Sequence, residues 1–334
     1  MIIDSIKIKN NKLSTQKLIM KNNFSHTPVL LNETIQNLDI KNDGIYIDAT
    51  FGYGGHSKEI LKHLGKNGKL YSIDQDPYAI KIANKLKNDT RFNIIHGKFS
   101  NILKYSNKNK IRGKVNGILL DLGMSSMQIN NPNRGFSFIS DGPLDMRMNP
   151  NTGIPAYMWL KKTNLTTLYH VLKKYGEEPF SKKIAYNIIA YNKKKTITRT
   201  LELSKIITNS IPIKKYRKHP ARRVFQAIRI YINHEIYELQ QALEHVLNIL
   251  IPGGKLLILS FHSLEDRTVK KFMIKYSKPP FVPPGLAITE TQLKSLANKQ
   301  LKIITKIFPS TIEIRKNPRA HSAILRVAQK NNNE

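Results

Sequence analysis

Short apolar runs alternate with amphipathic segments from Gly44 onward, and this alternation predicts strands and helices in a largely parallel sheet. The apolar runs predict four strands, at Ile45–Ala49, Lys69–Ile73, Asn93–His96 and Gly117–Leu120. Helical periodicity predicts helices between them at roughly residues 55–65 and 77–87. The pair Asp76-Pro77 favours a helix start, because Asp caps free N–H groups and Pro fits the first turn. This part of the chain therefore predicts an α/β fold.

The alternation stops after Asp121, where a stretch rich in Gly, Pro and Asn leads into short Lys-rich segments. Three helices are predicted there, at Thr166–Lys174, Pro179–Tyr191 and Thr200–Asn209. Apolar residues then recur at steps of three or four from Phe225 to Val246, which predicts one long amphipathic helix. The pattern thus indicates an α/β core that is interrupted by an inserted, mostly helical domain.

The predicted core resumes after a turn at Pro252-Gly253-Gly254, with a strand at Lys255–Ser260. Ser263 and Asp266 resemble a capping box that opens a helix at Leu264–Tyr276. Two late apolar runs, Leu301–Ile307 and Ser322–Val327, predict an antiparallel pair of strands. The predicted organisation is a flexible extension over residues 1–24, a split core over 25–125 and 217–334, and an insert over 126–216.

The composition adds a strong positive charge to this picture. The 334 residues include 55 Lys and Arg against 23 Asp and Glu, which gives a formal net charge of +32. Such a charge attracts a polyanion through counterion release. An alternative source is a genome rich in A and T, because Lys, Asn and Ile are abundant. The absence of cysteine excludes disulfides, thiolate metal sites and Cys nucleophiles.

Two kinds of segment are missing from the sequence. No stretch approaches the roughly 20 apolar residues that span a bilayer. The polar, Lys-containing segment of residues 1–23 lacks the apolar block of a secretory signal. We therefore expect a cytoplasmic location and no membrane partner.

Glycines are concentrated where the first predicted strand meets the first helix, in Asp48-Ala-Thr-Phe-Gly-Tyr-Gly-Gly-His56. Such a turn brings the backbone close to a ligand and directs helix N–H groups at an anionic group. A dinucleotide fingerprint would need a third glycine at Ser57, so the spacing disfavours NAD. It suits a smaller ligand whose amino-acid part lies on the loop, although tight glycine turns also occur without any ligand.

Several further residues follow the predicted strands and so share one edge of the sheet. Asp74 follows the second strand, where a carboxylate accepts hydrogen bonds from ribose hydroxyls. Asp121 ends the fourth strand, and ligands of open α/β sheets bind at this edge. Phe99 is a candidate neighbour of an adenine ring or an ordinary core residue. His262, after the fifth strand, is a candidate site residue or a structural one.

Longer motifs resemble one known family, the bacterial 16S ribosomal RNA cytosine-N4 methyltransferases called MraW or RsmH. The resemblance runs from His26 to about Val327. The motifs that carry it are His26-Thr-Pro-Val-Leu-Leu, Asp48-Ala-Thr-Phe-Gly-Tyr-Gly-Gly-His-Ser57, Asp121-Leu-Gly-Met-Ser-Ser, Arg134-Gly-Phe-Ser-Phe138, Asp141-Gly-Pro-Leu-Asp-Met-Arg-Met148, Ser260-Phe-His-Ser-Leu-Glu-Asp-Arg267 and Asn317-Pro-Arg319. Tyr53, Asn130 and His321 depart from the pattern expected for this family.

The resemblance implies a class I, Rossmann-like methyltransferase core with an inserted helical domain that helps to recognise RNA. It implies S-adenosylmethionine as the cofactor and N4 of one cytidine in the decoding region of 16S rRNA as the target. By the matched motifs, cofactor-binding residues would be Gly54, Gly55, His56, Asp74, Phe99, Asp121 and Gln128. Asp121 is also the candidate catalytic residue, unless it contacts only the cofactor.

The expected partners are 16S rRNA and the small ribosomal subunit, with a homodimer left open and no DNA. Phe136 and Phe138 are candidates to stack on the target base or to anchor their loop. A basic cluster, defined as Arg217, Lys218, Arg222 and Arg223, is a candidate phosphate contact. No metal site is expected from the spacing of His, Asp and Glu.

Three other classes of protein remain as rivals. A DNA amino-methyltransferase would usually carry an Asn/Asp-Pro-Pro-aromatic turn where this chain has Asp121-Leu-Gly-Met. A non-catalytic RNA-binding factor with the same fold would fail to bind S-adenosylmethionine. A nicotinamide oxidoreductase is disfavoured by Ser57 and by the lack of an evident acid for hydride transfer.

Overall fold

A computed structural model describes residues 28–211, 218–279, 289 and 299–332. The predicted extension of residues 1–24 and Arg217 lie outside the described residues. The strands are β1 Ile45–Asp48, β2 Lys69–Asp74, β3 Phe92–His96, β4 Val115–Asp121, β5 Leu250–Ser260, β6 Leu301–Ile307 and β7 Ile324–Lys330. They form one seven-stranded sheet in the order β3-β2-β1-β4-β5-β7-β6.

Strands β1 to β5 run parallel to one another, and β7 pairs antiparallel with both β5 and β6. The predicted antiparallel pair is therefore confirmed. The predicted turn at Pro252-Gly253-Gly254 lies within β5, as an irregularity between Leu250 and Lys255. Gly253 there has a φ of +78°, and the pairing with β4 shifts register between Val115 and Gly117.

The helices are α1 Leu31–Leu38, α2 Gly55–His63, α3 Pro77–Ala83, α4 Ile102–Lys108, α5 Ser126–Asn130, α6 Ala156–Lys162, α7 Leu165–Gly176, α8 Ser181–Lys194, α9 Thr200–Asn209, α10 Ala221–Asn233, α11 Glu235–Ile249, α12 Ser263–Ser277 and α13 Thr311–Lys316. Helices α1, α2 and α3 contribute to one buried apolar cluster with the sheet, and α4, α11 and α12 contribute to another. The core is thus a three-layer α/β/α arrangement. Within the described residues, no helix is long and apolar enough to cross a membrane.

A third apolar cluster belongs to the segment between β4 and β5. It joins residues of α6 to α9 with the loop of residues 136–148, and it includes Ala221, Val224, Phe225, Ala227 and Ile228 of α10. Helix α10 therefore packs with the helices that precede it. The division into a split core and an insert over 126–216 stays a prediction, and α10 shares the apolar cluster of the predicted insert.

The single long helix predicted from Phe225 to Val246 is wrong, because α10 and α11 are separate helices. His234 lies between them with a φ of +55° in the left-handed region, which ends one helix and caps the next. Apolar periodicity does not detect this break, since both helices bury one face. The break turns Arg229, Asn233 and Glu235 toward a common cavity, and all three residues line it.

The left-handed backbone of His234 makes a testable prediction about stability. We expect His234→Val to lower the free energy of unfolding by about 1–2 kcal/mol, because a β-branched side chain clashes in this conformation. His234→Asn is the control, since Asn tolerates the same φ, and it should stay close to the unsubstituted protein. Urea denaturation of both variants measures the difference, and equal stabilities would contradict a left-handed residue 234.

Candidate active site

A cavity of about 350 Å³ opens at the carboxyl ends of the parallel strands. Strand β1 pairs with both β2 and β4 there, so the strand order reverses beside it. Ligands of open α/β sheets bind at such a reversal. The residues predicted for the cofactor mostly line this cavity: Gly55, His56, Asp74, Phe99, Asp121 and Gln128.

The glycine turn between β1 and α2 shapes one wall of the cavity. Gly52 and Gly54 have φ values of +55° and +72°, which other residues rarely adopt. Gly54 does not line the cavity, and a Cβ on it would lie 2.4 Å from the Phe51 ring. Gly55 does line it, and its Cβ would lie 2.3 Å from Cγ of Pro28. The turn therefore presents backbone to the cavity because neither Gly54 nor Gly55 has room for a side chain.

The Asp48 side chain accepts hydrogen bonds from two residues of this turn and the helix after it. Its Oδ2 accepts a 2.6 Å hydrogen bond from the Ser57 hydroxyl, and its Oδ1 accepts one of 3.2 Å from the Thr50 amide. Burial raises the pKa of Asp48 to about 6, although these hydrogen bonds oppose the shift. The carboxyl group thus ties the end of β1 to the start of α2.

Asp74 ends β2 and faces the same cavity. Its Oδ2 accepts a hydrogen bond from the Gly52 amide and its Oδ1 accepts one from the Asp76 amide, both at 2.8 Å. Burial raises the pKa of Asp74 to about 6. Each carboxylate oxygen holds two lone pairs, so both still have room to accept a hydroxyl hydrogen bond. This arrangement fits the ribose-binding role predicted for Asp74.

Asp121 ends β4, and its backbone amide donates a 2.6 Å hydrogen bond to the Thr50 hydroxyl. Its Oδ2 lies 3.7 Å from Nε2 of the buried His56. Within the described part of the chain, its Oδ1 has no hydrogen-bond partner. Burial, and then the charges of Asp48 and Glu265, raise the pKa of Asp121 to about 8. A cation or a hydrogen-bond donor in the cavity would stabilise the ionised form of this carboxyl group, so Asp121 is suited to bind such a ligand.

Phe99 and Gln128 lie on two other sides of the cavity. Phe99 begins a short 3-10 turn directly after β3 and is half-buried. The Gln128 side chain donates to Asp76 Oδ2 at 2.9 Å and accepts from the Ser125 amide at 3.0 Å. Because both ends of its amide have protein partners, Gln128 holds the loop after β4 against the loop after β2.

The predicted insert and α10 supply an aromatic wall. Phe136 and Phe138 both line the cavity, and Phe136 is buried. The Phe138 ring stacks on His219 with centroids 4.9 Å apart and meets Phe225 edge-on at 5.7 Å. The Phe138 ring therefore has aromatic partners of its own within the chain.

The described members of the basic cluster do not act alike. Arg222 lines the cavity, whereas Arg223 donates a 3.2 Å hydrogen bond to the Glu177 carbonyl. Lys218 is exposed. Of the three members that the structure describes, Arg222 is thus the one that lines the cavity.

The segment before β7 completes the rim. Asn317 and Arg319 line the cavity. The Arg319 guanidinium donates to Ser126 Oγ at 3.0 Å and to Asn130 Oδ1 at 2.7 Å. Asn130 was noted as a departure from the family pattern, and it meets Arg319 here as a neutral partner. The segment is thereby fastened to α5, more than 180 residues earlier in the chain.

His262 is a helix cap, and the predicted capping box of Ser263 and Asp266 is wrong. The His262 Nδ1 accepts a 3.3 Å hydrogen bond from the Glu265 amide at the start of α12. The Ser263 hydroxyl instead donates to Glu177 Oε2 at 2.8 Å. His262 also lines the cavity. The same residue therefore caps α12 and forms part of the cavity wall.

The fold brings Glu235, His262 and Glu265 within metal-binding reach of one another, although sequence spacing gave no sign of such a group. The hydrogen bond to Nδ1 puts the ring proton of His262 on Nε2, which lies 3.1 Å from Glu265 Oε1. Both carboxylate oxygens of Glu235 accept hydrogen bonds from Arg229 at 2.8 Å. Since a metal needs an unprotonated Nε2, these groups fit a hydrogen bond between His262 and Glu265 and an ion pair between Arg229 and Glu235 better than a metal site.

The strand order, the glycine turn after β1 and the carboxylate after β2 together define a class I methyltransferase that uses S-adenosylmethionine. The chain belongs to the MraW methylase family, whose model matches residues 23–331. It is 57% identical over 310 residues to "Ribosomal RNA small subunit methyltransferase H" of Buchnera aphidicola subsp. Schizaphis graminum (strain Sg), covering 93% of this chain and 99% of that protein. The namesake from Buchnera aphidicola subsp. Cinara cedri (strain Cc) is 58% identical over 307 residues, covering 92% and 99%. A solved rRNA methylase from Streptococcus thermophilus covers 92% of this chain and 99% of its own, with 12% identity and a TM-score of 0.40.

The raised pKa of Asp121 predicts that binding of S-adenosylmethionine releases a proton. The sulfonium cation favours the ionised carboxylate, so affinity should rise as pH increases from 6.5 toward 8 and level off above it. Calorimetry in buffers of different ionisation enthalpy measures the proton count. S-adenosylhomocysteine, whose sulfur is uncharged, is the control and should show a weaker pH dependence. Identical pH profiles for both ligands would contradict the assignment of Asp121.

Proposed function

We propose that the protein methylates the N4 amino group of one cytidine in the decoding region of 16S rRNA. The observation that carries the proposal is the position of the Asp121 carboxyl group at the end of β4, where it lines the cavity with a side chain that is 28% exposed. The relatives named for the small-subunit rRNA support the substrate, since they match nearly the full length of this chain. The long motifs from Asp48 to Arg319 support the choice of the cytosine N4 atom.

Bound S-adenosylmethionine supplies a methyl group on a sulfonium sulfur. In this proposal the backbone at Gly55 and the side chain of His56 hold its amino-acid part. Asp74 accepts hydrogen bonds from the ribose hydroxyls, and Phe99 lies beside the adenine. Gln128 acts on the site through Asp76, because its amide is engaged there.

The proposed role of Asp121 is to make the N4 amine of cytosine a better nucleophile. The lone pair of an exocyclic N4 amine is delocalised into the cytosine ring, so the amine is a weak nucleophile. The Asp121 carboxylate accepts a hydrogen bond from N4, orients the amine and takes the proton that N4 loses as the methyl group leaves the sulfonium sulfur. The ionised form of Asp121 is required for this step, and a cation in the cavity favours that form.

The cavity lies below the surface, so the cytidine has to leave its stack to reach it. Arg222, on the side of the cavity that α10 forms, is available to the extruded nucleotide. A single-stranded or unpaired segment of rRNA is therefore the natural substrate.

We further propose that helix α8 of the insert contacts rRNA away from the target base. One exposed face of this helix carries Lys182, Lys183, Tyr186, Lys193 and Lys194. Tyr186 is 62% exposed, and the helix contains no acidic residue. Among the ion pairs of the described chain, none involves these four lysines, so their charge stays available for phosphates.

The central test is to incubate the protein with labelled S-adenosylmethionine and unmodified small subunits, and then to locate the product by nucleoside mass spectrometry. We expect N4-methylcytidine at one position. Asp121→Asn should lower the methyl-transfer rate at least about 100-fold, because it removes the proton acceptor. A methyl group on cytosine C5, or a fully active Asp121→Asn variant, would contradict the proposal.

The contact through α8 has its own test. We expect Lys182→Ala/Lys183→Ala to weaken binding to a long 16S rRNA fragment and to reduce the slope of log affinity against log salt by about 1–2. Lys270→Ala/Lys271→Ala, an exposed pair on α12, is the matched control and should keep the original slope. Fluorescence anisotropy at several salt concentrations measures these slopes. Equal slopes for the two double variants would reject the contact between α8 and rRNA.

A further inference from the structure

Arg134 is a buried arginine that lies behind the wall of the cavity and is only 6% exposed. Its Nη1 donates a 2.7 Å hydrogen bond to Asp76 Oδ2. Its Nη2 donates to the carbonyl oxygens of Arg147 and Met148 at 3.0 and 2.8 Å. One guanidinium thus joins the loop after β2 to the loop that precedes α6.

On the β2 side, Arg134 is connected to the candidate ribose site. Asp76 caps α3 through the Tyr78 amide, and its own amide donates to Asp74 Oδ1 at 2.8 Å. Its Oδ2 also accepts from Gln128 at 2.9 Å. Asp74, Asp76 and Gln128 all line the cavity. The position of the ribose-binding carboxylate therefore depends on an aspartate that Arg134 neutralises.

On the other side, the chain of hydrogen bonds reaches the wall built by the insert and α10. The Met148 amide donates to Asn233 Oδ1 at 2.7 Å. The Asn233 Nδ2 donates to the carbonyl oxygens of Met146 and Arg229 at 2.8 and 2.9 Å. Met146, Met148, Asn233 and Arg229 line the same cavity.

The geometry of these contacts requires arginine. A guanidinium presents several donors in a rigid plane, so it serves the Asp76 carboxylate and two carbonyl groups at once. A lysine ammonium carries the same charge at a single point and cannot span both sides in this way. Met146 has a φ of +62°, so the loop on the far side adopts a conformation that its packing has to maintain.

We propose that Arg134 is a positioning residue that couples occupancy of the cofactor site to the order of residues 144–148, and through them to RNA binding. Cofactor bound at Asp74 restrains Asp76, then Arg134, and then the carbonyl groups of Arg147 and Met148. The RNA part of this inference rests on the proposed function, whereas the coupling from the cofactor site to residues 144–148 does not.

The first test is amide hydrogen exchange with and without S-adenosylhomocysteine. In the unsubstituted protein the ligand should slow exchange in the peptide that covers residues 144–148. In Arg134→Lys this protection should disappear, while ligand-induced protection of the glycine turn at residues 52–55 remains. Protection of residues 144–148 that is equal in the two proteins, or absent in both, would overturn the proposal.

The matched control is Arg147→Lys, in the same loop. The Arg147 side chain pairs with Asp145 and takes no part in the chain of contacts from Asp76 to Asn233. It should keep the ligand-induced protection. Where Arg134→Lys does not fold, Asn233→Ala breaks the same chain without leaving a buried charge, and it should remove the effect on RNA described next.

The second test is the affinity for a 16S rRNA fragment with and without S-adenosylhomocysteine. We expect the ligand to tighten RNA binding at least about 5-fold, a usual size for coupling between sites. This factor should fall toward 1 in Arg134→Lys and stay unchanged in Arg147→Lys. An unchanged factor in Arg134→Lys would overturn the coupling. Failure of the unsubstituted protein to bind the RNA would instead count against the proposed function, and the exchange experiment would still decide the role of Arg134.

Discussion

The burial of negative charge at one edge of the sheet governs this structure. Asp48, Asp74 and Asp121 end or follow neighbouring strands, and burial raises the pKa of each. Such groups are costly to hold in a protein interior unless a ligand compensates them. Hydrogen bonds from Ser57 and from backbone amides satisfy the first two, whereas Asp121, within the described residues, has no hydrogen-bond donor on its buried Oδ1 and lies 3.7 Å from His56 Nε2 through its Oδ2. The site is thus prepared for a ligand that brings positive charge and hydrogen-bond donors.

Segments far apart in the chain build the walls around these carboxylates. The glycine turn forms the wall of the cavity next to α2. The loop before α6 and helix α10 form the opposite wall. Buried polar groups join the two, because Arg134, Gln128 and Asn233 each bridge different loops. Hydrophobic packing alone would leave these loops free to shift against each other. The polar contacts fix the distance between the acidic residues at the strand ends and the aromatic residues on the other side of the cavity.

Features that depend on local pattern were predictable from the sequence. The strand runs, the glycine turn and the acidic residues at strand ends place Asp74 and Asp121 correctly at one edge. Features that depend on tertiary contact were not. Periodicity continues across His234 because both α10 and α11 bury one face, so the break between them was missed. His262 was recognised as lying at the rim, but its capping of α12 was assigned to Ser263. Glu235 and Glu265 meet only because α11 and α12 pack together, and no spacing in the sequence reveals that.

The sheet order also bears on how the protein matures during synthesis. Strand β7 lies between β5 and β6, so β6 has no neighbour within the sheet until β7 has been inserted. Asn317 and Arg319, just before β7, complete the rim of the cavity. A nascent chain that has emerged from the translating ribosome only as far as β5 therefore has Asp48, Asp74 and Asp121 but lacks the part of the rim that Asn317 and Arg319 supply.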